Sequence, residues 1–161
     1  MRFVLFVSIV QSILLFGHWF LYRTLVRFFG LTNPSVLLTM KVSMALLSVS
    51  LVATSFLAFR YSNLLVRYLY TGAASWLGIF SFFLLAAILA WILYGLARML
   101  HFPLDRKILI EVLIGMALVA SLYGFTNAAA IRITRINVQL PGLSSSWKCK
   151  TAAWVSDTHL G

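Results

Sequence analysis

The feature that most constrains this chain is a series of long stretches without a single charged side chain: residues 3–22, 42–59, 68–97 and 112–131. A helix needs about 20 apolar residues, at 1.5 Å rise each, to cross the hydrocarbon of a bilayer. Lipid offers no partner to an open backbone N–H or C=O, so α-helix is the state each stretch must adopt there. Four transmembrane helices follow, expected over about residues 3–22, 37–59, 73–97 and 109–130. The second stretch is short and gains length from residues 37–40 and a snorkelling Lys41. The third is long enough to contain part of a loop, which places the expected start of its helix near Ala73. Composition agrees: 62% of the 161 residues are hydrophobic and 10% charged, against roughly a quarter charged in soluble domains.

The linkers are short and carry helix-breaking signals, "GLTNPS" after the first span and "HFPLDRK" before the fourth. Connections of this length force successive helices antiparallel, so the expected membrane domain, residues 1–130, is an all-α, up-down four-helix bundle. Trp19, Tyr22, Tyr68, Tyr70, Trp76, Trp91, Tyr94 and Tyr123 stand near the edges of the spans, where aromatic belts meet lipid headgroups. Small residues four apart (Ser8/Ser12, Ala74/Gly78, Ala86/Ala90, Ala117/Ser121, Gly124/Ala128) are candidates for close helix approach.

A net charge of +10 from 13 basic and 3 acidic residues would point to nucleic acid on a soluble domain. Here the basic residues stand singly at the ends of apolar runs, as membrane anchors do, and no basic stripe with interleaved aromatics exists. The bilayer is the expected partner and nucleic acid is not. Arg2, Arg60, Arg67, Arg132 and Arg135, with Lys148 and Lys150 further out, share the side of the termini. Arg23, Arg27, Lys41, Arg98, Arg106 and Lys107 share the other. This balance does not decide a positive-inside orientation; we take the side of the termini as cytoplasmic. The first span leads into "FGHWFLYR" rather than a small-residue cleavage site, and reads as a retained anchor, not a secretory signal.

Polar residues within the spans are few. Gln11 is expected to hydrogen-bond between helices. His18 reads as a helix-end histidine at the interface, and His101 as part of a solvated connector with Asp105 and Arg106. Glu111 stands one turn after Lys107 and is expected to pair with it at the membrane edge. The single cysteine, Cys149, excludes an intrachain disulfide and reads as structural. Paired intramembrane charges and matching broken helices, the marks of a transporter, are absent from the sequence.

After Ala130 the periodicity changes from helical to alternating. In "AIRITRINVQL" Ile131 and Ile133 alternate with polar residues, and Ile136, Val138 and Leu140 resume after a one-residue slip, the pattern of a strand with a bulge. "PGLSSS" is a turn, and "CKTAAWVS" reads as a second strand ending at Ser156. Beyond it stands "DTHLG". A carboxylate and an imidazole two residues apart, in a loop at the carboxyl end of a strand, are placed to share a divalent ion, with donors that suit Mn, Fe, Zn or Mg in different degrees.

"VSDTHLG", residues 155–161, resembles the first motif of the calcineurin-like metallophosphoesterases, a hydrophobic strand running into S-D-x-H-x-G. Four membrane helices ahead of it resemble the family's membrane-anchored bacterial branch, which implies a bacterial inner membrane. The resemblance implies that residues 131–161 are the opening two β-strands of an α/β metallophosphoesterase sandwich. It further implies that Asp157 and His159 bind one of two divalent metals, and that the substrate is a phosphate mono- or diester. The family's later motifs, G-D-x-x-D, G-N-H-D/E and two histidines, have no counterpart among these residues. The expectation is therefore an N-terminal portion of a larger enzyme, inactive alone. The alternative is a complete four-helix membrane protein, an accessory subunit or scaffold without catalysis.

Overall fold

In the computed structural model, residues 2–129 are described, and they form four helices. These are α1 (Arg2–Phe29), α2 (Pro34–Arg60), α3 (Leu64–Met99) and α4 (Arg106–Ala129). All four are long and apolar enough to cross a membrane, and the chain is accordingly an integral membrane protein. It divides into two units, Met1–Ala130 and Ile131–Gly161. The two expected strands lie outside the described residues.

The helices are longer than the charge-free runs, because lack of charge marks where lipid hydrocarbon lies, not where a helix must stop. α3 begins at Leu64, well before Ala73, so no loop occupies the start of the third run. Its 36 residues span about 54 Å at 1.5 Å per residue, against about 30 Å of hydrocarbon. The excess at its start carries Arg67, Tyr68 and Tyr70, all exposed. These are side chains suited to the headgroup region. α1 likewise continues past Arg23 and Arg27 to Phe29.

Each boundary has a local cause. Gly30 adopts φ +65°, and the Leu31 N–H donates to Val26 O at 3.1 Å, the bond pattern by which a left-handed residue closes a helix. Asn33 then caps α2, its Oδ1 accepting from the Ser35 N–H at 3.0 Å, with Pro34 in the first turn where no N–H is needed. Asn63 caps α3 through the Val66 N–H at 2.9 Å. At the far end of α3, His101 takes the left-handed role at φ 56° and the Phe102 N–H reaches Ala97 O at 2.8 Å. Histidine is among the non-glycine residues enriched there. His101 thus ends a helix as well as lying in the connector. Asp105 opens α4, its Oδ1 accepting from the N–H groups of Lys107 (2.7 Å) and Ile108 (3.2 Å). Glu111 and Lys107 do pair, at 3.9 Å on an exposed face.

Connections confined to residues 30–33, 61–63 and 100–105 hold consecutive helices antiparallel. α1 and α3 each pack against all three other helices; α2 and α4 do not meet. The centre therefore lies where α1 crosses α3. Buried positions recur every seven residues along both helices, Leu14, Leu21 and Phe28 on α1 and Val66, Ala73, Phe80 and Ala87 on α3, and of these Leu21, Phe80 and Ala87 pack together at the crossing. A repeat of seven is the seam of a left-handed helix pair. Around it gather two clusters, Leu21–Phe80–Ala87 and Phe28–Ala90–Ile110, the second bringing in α4.

Candidate functional site

The residues expected to bind metal, Asp157 and His159, lie outside the described residues, as does Cys149. Among the described residues no group of three His, Cys, Asp or Glu side chains comes together. The polar chemistry that is described sits instead along α1, on the face that meets α3.

His18 is the centre of it. The interface position expected from sequence is not what it occupies: it is 2% exposed, one turn above Leu14 and facing α3. Its Nδ1 lies 2.8 Å from Leu14 O, and its Nε2 is 3.0 Å from Trp76 Nε1. A carbonyl can only accept and an indole N–H can only donate, so Nδ1 carries the proton and Nε2 accepts from Trp76. Both ring nitrogens are engaged, and neither offers a lone pair to a metal while these bonds persist. The imidazole is stacked on the Phe80 ring, 3.9 Å between centroids and 5° from parallel. Gly17 makes room for that ring: a Cβ there would stand 2.9 Å from Phe80 Cζ.

Two turns on, Thr24 repeats the arrangement with a hydroxyl. Its Oγ1 donates to Phe20 O at 2.9 Å and accepts from Trp91 Nε1 at 2.9 Å. Trp91 also carries the Arg27 guanidinium 5.2 Å from its ring and the edge of Phe28 at 5.3 Å. Phe28 in turn meets Tyr94 at 5.7 Å. Trp76, Trp91 and Tyr94, expected in the headgroup belt, are thus turned toward α1. In lipid an unpaired indole N–H near a histidine or threonine gains more from that partner than from any apolar neighbour. Tyr68, Tyr70 and Tyr123 are exposed, as residues of a belt should be.

Gln11 bonds between helices as expected, its Nε2 donating to Ser48 O on α2 at 3.1 Å. Its Oε1 is buried without a partner. Of the small-residue pairs, Ala86/Ala90 and Ala117/Ser121 are buried, on α3 and α4 respectively. Ser8/Ser12, Ala74/Gly78 and Gly124/Ala128 are exposed.

The aromatic partners of α1 were missed because the spans are apolar on every side, and hydropathy alone does not distinguish an edge tryptophan from one facing a neighbour. The available signal was positional: Gly17, His18, Leu21, Thr24 and Phe28 share one helical face, and polar residues inside a membrane face protein. Comparison of the chain with protein-family models, with curated proteins and with solved structures finds no match.

Proposed function

We propose that this chain is the membrane-anchoring part of a metal-dependent phosphoesterase, with Asp157 and His159 as ligands to one divalent ion. The observation that carries the reading is the stretch "VSDTHLG", set after alternating apolar segments that follow four membrane helices. The bundle supports it by division of labour: His18, Thr24, Gln11, Trp76 and Trp91 are occupied in holding helices together. This reading gives the chemistry to the segment after Ala130.

In this reading Asp157 supplies a carboxylate oxygen and His159 an imidazole nitrogen, a donor set that fits Mn, Fe, Zn or Mg. A pair of divalent ions bound at such a site activates water and neutralises charge on the phosphoryl oxygens of a phosphate mono- or diester. Two donors do not close a coordination sphere, so the reading requires further ligands from outside these 161 residues. The four helices confine the site to a membrane surface, assigned to the cytoplasmic face of a bacterial inner membrane, within reach of lipid-borne and soluble esters alike.

The test has two stages. The coding sequence after Gly161 should continue in frame and contain G-D and G-N-H motifs within roughly the next hundred codons, the scale of one domain. The protein that it encodes should hydrolyse bis(p-nitrophenyl) phosphate with added Mn²⁺. Asp157→Asn should lower that rate by more than about 100-fold, since loss of even an outer-sphere partner costs 10–100-fold. A stop codon directly after Gly161, or full activity in D157N, sinks the proposal. The stop codon with metal-independent behaviour would leave the accessory or scaffold protein.

A further inference from the structure

Where α1 begins and α2 ends, the two helices line an open groove of about 670 Å³. Pockets of roughly 300–1,000 Å³ suit an extended small molecule. Phe3, Phe6, Val10, Val52, Phe59 and Arg60 are among its lining residues. Phe3 meets Phe56 edge-on across it, with centroids 6.3 Å apart, while Phe59 is 97% exposed. Apolar side chains thus wall the groove, and among the described lining residues one cation, Arg60, stands at its rim.

That cation has no carboxylate partner among the described residues, where the ion pair is Lys107–Glu111. Arg2 begins α1 at the same end of the bundle, which adds positive charge there. The acids of the described chain, Asp105 and Glu111, lie in the connector before α4 and in its first turns, at the opposite end. In a bilayer the walls face acyl chains, and the rim stands at headgroup depth, where a guanidinium meets phosphate in a two-pronged geometry.

We propose that this groove is a binding site for an anionic phospholipid, with one acyl chain laid along α1 and α2 and the phosphate held by Arg60. The site is independent of the phosphoesterase reading: it uses other residues and other chemistry. Charge complementarity selects the occupant, because a zwitterionic lipid would bring a second cation to a rim that already holds an unpaired one.

Native mass spectrometry of the full 161-residue chain, released from mixed phosphatidylglycerol and phosphatidylcholine micelles, reads the site directly. The chain should retain phosphatidylglycerol with about a five-fold preference, the equivalent of about 1 kcal/mol for one basic residue near an anionic surface. Arg60→Gln should abolish the preference yet keep lipid adducts of both kinds. Arg98→Gln, at the other end of the bundle, should leave it unchanged. Val52→Trp and, separately, Ser55→Phe should lower retention of both lipids by narrowing the groove, with helicity checked by circular dichroism. Equal retention of the two lipids by the unaltered chain overturns the proposal. So does an undiminished preference in R60Q, or a lipid-free dimer that shows a second copy in the groove.

Discussion

The interface of α1 with α3 and that of α1 with α2 are built from similarly greasy sequence, yet they close differently. Against α3, α1 presents Gly17, His18, Leu21 and Thr24, all buried, and receives an aromatic ring or an indole N–H at each level. Against α2 the two backbones approach each other more extensively than α1 and α3 do, with Gln11 reaching one backbone carbonyl and a groove where α1 begins and α2 ends. α2 buries only Ser48 and Thr54, and both hydroxyls bond within their own helix. The difference teaches what association in lipid rests on. Leaving lipid gains an apolar side chain little, because the lipid is as apolar as the protein. Extensive backbone approach joins α1 to α2, while side-chain hydrogen bonds and the ring seated at Gly17 join α1 to α3.

Substitutions can break that comparison in order of size. Gly17→Leu drives a branched side chain into the Phe80 ring, and overpacking of this kind costs about 1–3 kcal/mol. Steric-trapping unfolding in lipid should show the loss, and the same change at the exposed Gly78 should show almost none. Trp76→Phe keeps an aromatic ring but leaves His18 Nε2 without its donor. A polar contact between membrane helices averages about 0.6 kcal/mol and reaches about 1.7, so a loss within that range is expected. Thr24→Val removes the acceptor of Trp91 and should cost about 0.6 kcal/mol by the same scale. Ser48→Ala, on the α2 side, retains the backbone carbonyl that Gln11 uses, and should move stability by less than about 0.5 kcal/mol. If Ser48→Ala proved as costly as Gly17→Leu, the contrast between the two interfaces would be false.

Legibility in the sequence followed the same physics. The four spans were readable because charge cannot be hidden in hydrocarbon, and so were the linkers that hold Asn33 and Asp105 and the bond from Gln11. The helix ends were not, since Arg67 at the start of α3 and Arg23 and Arg27 late in α1 interrupt apolarity without interrupting a helix. Nor were the facing partners. His18 looked like an interface residue because its one donor, Trp76, lies 58 positions away, and nothing local announces it. The heptad seam is masked in α3 because Ala73, Phe80 and Ala87 differ from their lipid-facing neighbours in size more than in polarity. The reverse holds for the proposed metal ligands: Asp157 and His159 are conspicuous in sequence because they are polar and closely spaced, and they belong to the segment after Ala130.

Paired polar groups add to the packing of apolar side chains in holding α1 to α3. A double-mutant cycle on His18→Phe and Trp76→Phe, with unfolding measured in lipid bicelles, isolates the pair from the packing around it. A coupling energy of about 0.6 kcal/mol or more, up to about 1.7, is expected between the two positions. Losses that simply add, with coupling below about 0.3 kcal/mol, would contradict it and return the seam to shape alone.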